Sequence, residues 1–531
     1  MPESSSQSNR TANTVLAAAI LATAFLRILS FFLYPLPDKS EALYAEVARE
    51  MFASGNWITP QLGLSPFWAK PPLSTWLTAL SFKLFGLSEL AARIPSFLII
   101  VLIAACIFAW GRRQRDATYG LAAAMVFSTC LLSFISAGAV MTDAALALGT
   151  FMAMVGFWLC MDPGSRYARF WGYILFAGLG LGLLAKGPVA LVVSGLPVAA
   201  WLTVRGKWRE ALTRLPIVGG LLLTAAVALP WYLAAEARTP GFLRYFFIGE
   251  NFERFLVPGW KGDLYGSAHR QPYGYIWVLG LLATLPWSAV LVTWGAARLA
   301  RWRRFHLRAF DGWTSYLALW ALMPMLFFSF ARNLLWTYPL PALPAFAFLL
   351  AGVFYPEAKE GEAGPMRRWP GVVSLAPSLI LLVSLMFWNL GVLHVHMSQR
   401  SLVEAFEALN EGRGGKLVYY RTRPWSAEFY SGGTVRQVDR PADMEPFFEN
   451  SAQDYFAVET YLVHRIPEDE RNRMEAMGEY DDYLLFRERG GEKRVVQAEA
   501  GGAAPLAASP PKAVPVPPSR EVASSMAAKG G

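Results

Sequence analysis

Residues 90–115 read LAARIPSFLIIVLIAACIFAWGRRQR. From Pro95 to Gly111 no charged residue occurs, and the run closes on Arg112, Arg113 and Arg115. A helix needs roughly 20 apolar residues to cross a hydrocarbon core, so this stretch reads as a membrane span with a basic, cytoplasmic end. The same grammar of long apolar run and short charged stretch recurs along the chain. It gives about eleven segments, near 13–34, 90–111, 118–137, 144–161, 169–185, 188–204, 215–234, 274–297, 313–330, 335–355 and 371–393. The composition of the 531 residues agrees: 54% are hydrophobic, 14% aromatic and only 16% charged, and the mean hydropathy is +0.33. The fold class expected is an all-α polytopic membrane protein.

Arg and Lys orient the spans. Alternate loops carry Arg112/Arg113/Arg115, Arg166/Arg169, Arg205/Lys207/Arg209/Arg214, Arg298/Arg301/Arg303/Arg304/Arg308 and Lys359/Arg367/Arg368. All fall on one side, which the positive-inside rule makes cytoplasmic. The formal net charge of +9 is therefore spread between spans, and nucleic acid is excluded as a partner. Residues 1–12 form a cytoplasmic N-terminus and residues 13–394 the membrane domain, with external loops 35–89 and 235–273. Arg27, inside the first span, is expected to reach the outer surface. From Ser401 to Glu488 strand-like runs (Leu417 to Tyr420, Tyr455 to Val458, Tyr483 to Phe486) alternate with polar helical stretches. Residues 395–489 thus read as a small external α/β domain, and the Ala/Pro-rich residues 490–531 as a disordered tail. Cys106, Cys130 and Cys160 lie in or at the ends of apolar runs with no CxxC spacing, so they read as packing residues.

The first external loop holds the densest chemistry. From Glu41 onward, Tyr44, Val47, Ala48 and Met51 make one apolar face of a helix too short and polar to span, expected to lie along the interface. Asp38 and Glu41 open it, where carboxylates favour the positive dipole end, so a plain capping pair is one reading of them. Further on, Lys70 precedes Pro71 and Pro72, which hold it in extended backbone. A fixed ammonium at the membrane surface suits a phosphate, while a snorkelling lysine is the ordinary alternative.

The run from Asp38 to Ser96 (DKSEALYAEVAREMFASGNWITPQLG, then FWAKPPLSTWLTALSFKLFGLSELAARIPS) resembles the aminoarabinose transferases of lipid A. More broadly it is similar to phospholipid-carrier-dependent glycosyltransferases related to protein O-mannosyltransferases. Supporting matches stand at Met141-Thr142-Asp143, Ala185 to Pro188, Phe246-Phe247 through Arg254, and Phe327-Phe328-Ser329 through Tyr338-Pro339. The resemblance covers residues 13–355. It implies a C-type glycosyltransferase fold that takes a sugar from a polyprenyl phosphate and passes it to an acceptor on the non-cytoplasmic face.

What the resemblance implies for residues follows from that chemistry. Glu41, with Asp38 beside it, is expected as the acid/base group, assisted by Asp143. Lys70 is the expected ligand of the donor phosphate, joined by Arg244, Arg254, His269, Arg270 and Tyr338. Tyr44 and Trp68 are expected to shape the substrate loop. No cofactor and no metal are expected; the partners are a polyprenyl-phosphate-linked sugar donor, a glycolipid acceptor and membrane lipids, acting on a monomer. The expected location is the bacterial inner membrane with the active site facing the periplasm. The chain departs from the family at Ser40, where an aspartate is common, at Leu43 in place of an arginine, at Leu334 in place of a lysine, and at Leu335-Trp336 in place of Leu-Pro.

Three other readings compete. A protein or polysaccharide acceptor would leave the chemistry unchanged. A transporter of lipid-linked sugars would place paired charges and broken helices at mid-bilayer with repeat symmetry, whereas the charges here gather in external loops. A mere membrane anchor leaves unexplained two loops rich in Trp, Tyr and Arg.

Overall fold

Capping side chains decide where several of the apolar helices begin. The computed structural model describes residues 2–63, 65–266, 269–292, 311–355, 369–389, 398–411 and 413–489. In chain order the first helices are α1 (Pro2–Ser30), α2 (Glu41–Ser54), α3 (Leu73–Phe85), α4 (Glu89–Gln114), α5 (Ala117–Thr129), α6 (Leu131–Ser136), α7 (Asp143–Met161), α8 (Ala168–Lys186), α9 (Val189–Arg205), α10 (Trp208–Arg214) and α11 (Ile217–Arg238). Ser88 caps α4 by accepting the Ala91 amide at 3.2 Å, and Asp116 caps α5 by accepting the Tyr119 amide at 2.9 Å.

Among the described residues six helices are long and apolar enough to cross a membrane: Arg10–Ser30, Glu89–Gln114, Asp143–Met161, Ala168–Lys186, Ile217–Arg238 and Pro370–Phe387. Shorter apolar helices at Ala117–Thr129, Val189–Arg205, Gly312–Phe328 and Leu340–Phe354 accompany them. The protein is a multi-pass, mostly helical membrane protein. The expected segment 118–137 is broken at Cys130, where ψ is 132°, and the Leu131 amide donates to the Leu285 carbonyl at 2.8 Å instead of continuing α5. The expected segment 335–355 turns helical only at Leu340, because Pro339, Pro341 and Pro344 fit a first turn and not a helix interior. The basic clusters within 298–308 and 359–368, His306, His394, His396 and the tail from residue 490 lie outside the described residues.

Small residues let two spans touch backbone to backbone. A Cβ on Gly178 of α8 would lie 2.5 Å from the Gly149 carbonyl of α7, and one on Gly156 would lie 2.5 Å from the Leu175 amide nitrogen. These contacts run antiparallel and bring the start of α7 beside the end of α8. At the opposite end of α7 the core is aromatic: Trp110–Trp313, Trp158–Trp313 and Trp158–Tyr316 have ring centroids 4.8, 5.0 and 5.0 Å apart.

Two sequence expectations fail by burial. Arg27 does not reach the surface; it is buried, donating to Ser30 Oγ at 3.0 Å and to the Ile135 carbonyl at 2.9 Å, with its guanidinium 5.3 Å from the ring centroids of Phe31 and Phe134. Helix α2 does not float on the interface; most of its residues, Glu41 and Glu46 included, are buried.

Residues beyond 398 explain the cover over α2. A two-stranded ribbon, β1 (Gln61–Leu62) and β2 (Ser65–Pro66), lies in the first loop, and β3 (Leu417–Tyr420), β4 (Arg436–Val438), β5 (Tyr455–Glu459), β6 (Met474–Tyr480) and β7 (Tyr483–Glu488) form one sheet in the order β4-β3-β5-β7-β6. β3 pairs in parallel with β4 and β5, while β7 is antiparallel to β5 and β6. All of β3 is buried because Leu417 and Tyr419 face one apolar layer, with Leu402 and Phe406, while Val418 and Tyr420 face another, with Met444 and Phe448. From this unit the helix Trp425–Tyr430 reaches the first loop. Ser426 donates both its amide, at 2.8 Å, and its hydroxyl to the Asp38 carboxylate. The Tyr430 hydroxyl donates to Glu89 at 2.6 Å and accepts the Leu36 amide at 2.7 Å.

Candidate active site

A cavity of about 1030 Å³ opens between the first loop, the α8–α9 junction, the segment 244–271 and the loop 333–338. Lys70 enters it from the Lys-Pro-Pro turn and pairs with Glu250 Oε2 at 2.9 Å. Glu250 sits in a π-helical stretch, Arg244–Glu253, whose widened turn is a common device at functional sites. Four residues on, Arg254 Nη1 meets both Glu250 oxygens at 3.0 and 3.1 Å and Asp263 Oδ2 at 3.1 Å. Asn333 pins this segment by donating to the Arg254 carbonyl at 2.5 Å and the Val257 carbonyl at 2.7 Å. Burial pulls the Glu250 carboxyl upward, but Lys70 and Arg254 outweigh it and hold the group below its ordinary value.

The second pair comes from the α7–α8 hairpin. Lys186 Nζ lies 2.6 Å from Asp143 Oδ1, both buried, and 4.7 Å from the centroid of the Tyr338 ring. Gly187, at φ 81°, ends α8 there; a Cβ would strike the Phe246 ring at 2.5 Å. Burial and the carboxylates of Asp143 and Glu250 push the Tyr44 phenol far above its ordinary value, so Tyr44 faces the cavity as a neutral hydroxyl. Among the described residues no group of three or more His, Cys, Asp or Glu side chains could hold a metal ion.

The expected residues separate into two groups. Asp38, Tyr44, Lys70, Arg254, His269 and Tyr338 line the cavity. Asp143 stands one step behind it, through Lys186. Glu41 does not line it: its carboxylate is buried against Arg93 Nε at 3.4 Å, and Arg93 also donates to the carbonyls of Phe31, Tyr34 and Pro35. Arg244 is exposed and Arg270 pairs its backbone with Asn333, both off the cavity. Trp68 packs behind the wall, its indole donating to Thr239 Oγ1 at 3.2 Å and its ring 5.9 Å from that of Tyr245. Burial lifts the Asp38 carboxyl above its ordinary value despite the Ser426 bonds. The departures Leu334, Leu335 and Trp336 also line the cavity, so its wall is more apolar there than the family pattern implies.

Residues 12–246 match the family described as dolichyl-phosphate-mannose-protein mannosyltransferase. Over 335 residues the chain is 32% identical to the undecaprenyl phosphate-alpha-4-amino-4-deoxy-L-arabinose arabinosyl transferase of Enterobacter sp. (strain 638), covering 62% of this chain and 58% of that one. The enzyme of the same description from Edwardsiella ictaluri (strain 93-146) is 33% identical over 357 residues, 66% of this chain and 61% of its own. The resemblance carried by the first loop holds. The chain is similar to these transferases. It spans less than two thirds of the length of these curated relatives. The crystal structure of ArnT from Cupriavidus metallidurans bound to undecaprenyl phosphate superposes with a TM-score of 0.68 at 19% identity, over 89% of this chain and 97% of that one. Its apo state gives 0.69 at 18% identity, over 90% and 98%. This membrane glycosyltransferase fold is shared.

Glu250, Asp263 and Lys186 are the cavity residues that sequence reasoning passed over. The Glu250/Arg254 spacing of four residues was the available signal, since it stacks the two on one helical face. For Lys186 the signal was a lysine closing an apolar run before Gly-Pro, inside the family match at Ala185 to Pro188.

Proposed function

We propose that this protein transfers a sugar from a polyprenyl-phosphate carrier to lipid A or a similar envelope glycolipid, with its cavity facing the periplasm of a bacterial inner membrane. The observation that carries the reading is the convergence of Lys70, Arg254 and Tyr338 on one large, partly apolar cavity. Polar and cationic groups at its floor suit a leaving phosphate, and apolar walls suit a prenyl chain and a lipid acceptor. Relatives described as undecaprenyl phosphate-dependent arabinosyl transferases, and the ArnT structure described as bound to undecaprenyl phosphate, support the same donor class.

The reaction forms a bond from an acceptor oxygen to the anomeric carbon and breaks the bond from that carbon to the carrier phosphate. The bonding pair leaves with the phosphate oxygen, and the acceptor proton passes to a base. Asp38 takes over from Glu41 as the acid/base candidate, because it lines the cavity and burial raises its affinity for a proton. Asp143, clamped by Lys186, orients that end of the site. A protein hydroxyl as acceptor is the second reading, favoured by the mannosyltransferase match over residues 12–246.

The test is transfer in detergent from a polyprenyl-phosphate sugar to extracted glycolipid, where no sealed compartment exists. Lys70→Ala is expected to lower kcat by about 10²-fold or more, and Asp38→Asn by about 10²- to 10⁴-fold, with Glu41→Gln the mildest of the three. Absence of transfer to glycolipid and to protein alike by the wild type, with vectorial movement in vesicles, overturns the assignment in favour of transport.

A further inference from the structure

Lys70 and Arg254 are already engaged before any donor arrives. Glu250, 7% exposed, takes both cations, and Asp263 takes Arg254 again. The quartet of two cations and two carboxylates carries no net charge. The proposed reaction, however, changes the charge it must face. A polyprenyl phosphodiester with one negative charge becomes a phosphomonoester, which approaches two. A site built only to hold the product would leave the cations unpaired.

We infer that Glu250 is a positioning residue that competes with the carrier phosphate for Lys70 and Arg254 and so releases the spent carrier. The inference rests on the function proposed above. When the phosphodiester enters, its oxygens share the cations with the Glu250 carboxylate. As the anomeric bond breaks, the second charge appears on the phosphate beside that carboxylate, and the two anions repel. The repulsion grows only after the chemical step, so it acts on product more than on substrate. Withdrawal of the phosphate restores the Glu250 bridges at 2.9, 3.0 and 3.1 Å. Tyr245, whose hydroxyl lies 3.4 Å from Glu250 Oε1, steadies the carboxylate between turns of the cycle.

Glu250→Gln keeps the shape and removes the charge. Full-length protein in detergent is titrated with polyprenyl phosphate, the product alone, and its steady-state kinetics are measured on the donor. The product Kd is expected to fall by about tenfold or more, since a like charge a few ångströms away in a partly buried site is removed. The donor KM falls with kcat, because release becomes slower. A kcat loss with unchanged or weaker product binding overturns the inference and leaves Glu250 a structural residue. Should Glu250→Gln not yield folded protein, Asp263→Asn carries the test. Of the two cations it pairs with Arg254 alone, so it predicts a smaller tightening in the same direction, and no tightening there is equally fatal. Wild type that neither binds polyprenyl phosphate nor transfers sugar refutes the proposed function. Wild type that does both, with no tightening in the variants, refutes this inference alone.

Discussion

The two ends of α7 bury polar atoms by opposite means. Near Trp158 the core is a lattice of neutral rings whose polar tips donate to backbone carbonyls: Tyr316 to that of Met154 at 2.6 Å, Trp320 to that of Pro341 at 2.9 Å and Trp201 to that of Gly312 at 3.0 Å. Near Asp143 the buried groups are charged and pair with one another: Lys186 with Asp143, Arg254 with Glu250 and, behind the wall, Arg93 with Glu41. The aromatic end gains from area and packing and has nothing to exchange. The charged end sacrifices dehydration energy for groups that can trade one partner for another. The second design suits a site that, on the proposed function, admits and expels an anion.

Mutations can break that contrast. The largest expected loss is at the aromatic end, where Trp110→Ala should lower stability by about 3–5 kcal/mol, read as thermal unfolding in detergent, with kcat of the surviving folded protein unchanged. Arg93→Met should sit at the lower end of about 3–5 kcal/mol, because Arg27 still acts on the stranded Glu41. Adding Glu41→Leu should recover most of it. If the double variant is no more stable than the single, Glu41 and Arg93 are not energetically coupled. The smallest effect concerns Glu50, whose carboxyl burial pushes up to about 7 although the Gly63 amide, 2.6 Å away, opposes the shift. A carboxyl raised on folding holds its proton longer in the folded state, so its stability contribution is complete below the ordinary value of 4.5 and is lost as pH rises toward 7. Glu50→Gln should therefore flatten unfolding temperature across that window and stabilise the protein at pH 8 by about 1 kcal/mol after solvent screening.

The same contrast explains what could be read from the sequence. Apolar runs such as 90–111 announce helices because hydropathy is a local property, and the six long apolar helices fall on such runs. Lys70, Arg254 and Tyr338, more than 60 residues apart in every pairing, were grouped through the family resemblance, and the structure gathers them on one cavity. Local periodicity failed where a partner lies far along the chain. Glu41 looks like a free carboxylate until Arg93, 52 residues on, folds behind it. Helix α2 looks amphipathic and superficial until a helix that begins at Trp425 lies over it. The break at Cys130 has no sequence mark at all, since it depends on the Leu285 carbonyl capturing an amide.

The clasp between Asp38 and Ser426 has a consequence for biosynthesis. Residues 38 and 426 are separated by nearly the whole span of the transmembrane bundle, and chains emerge from the ribosome N-terminal end first. A nascent chain that has inserted the described helices up to Asn389 still has one side of the cavity missing, and Trp425 closes it only when the unit that carries it docks. On the proposed function, activity is thereby withheld until residue 425 has docked, and cleavage between residues 398 and 425 is expected to abolish it without touching the bilayer.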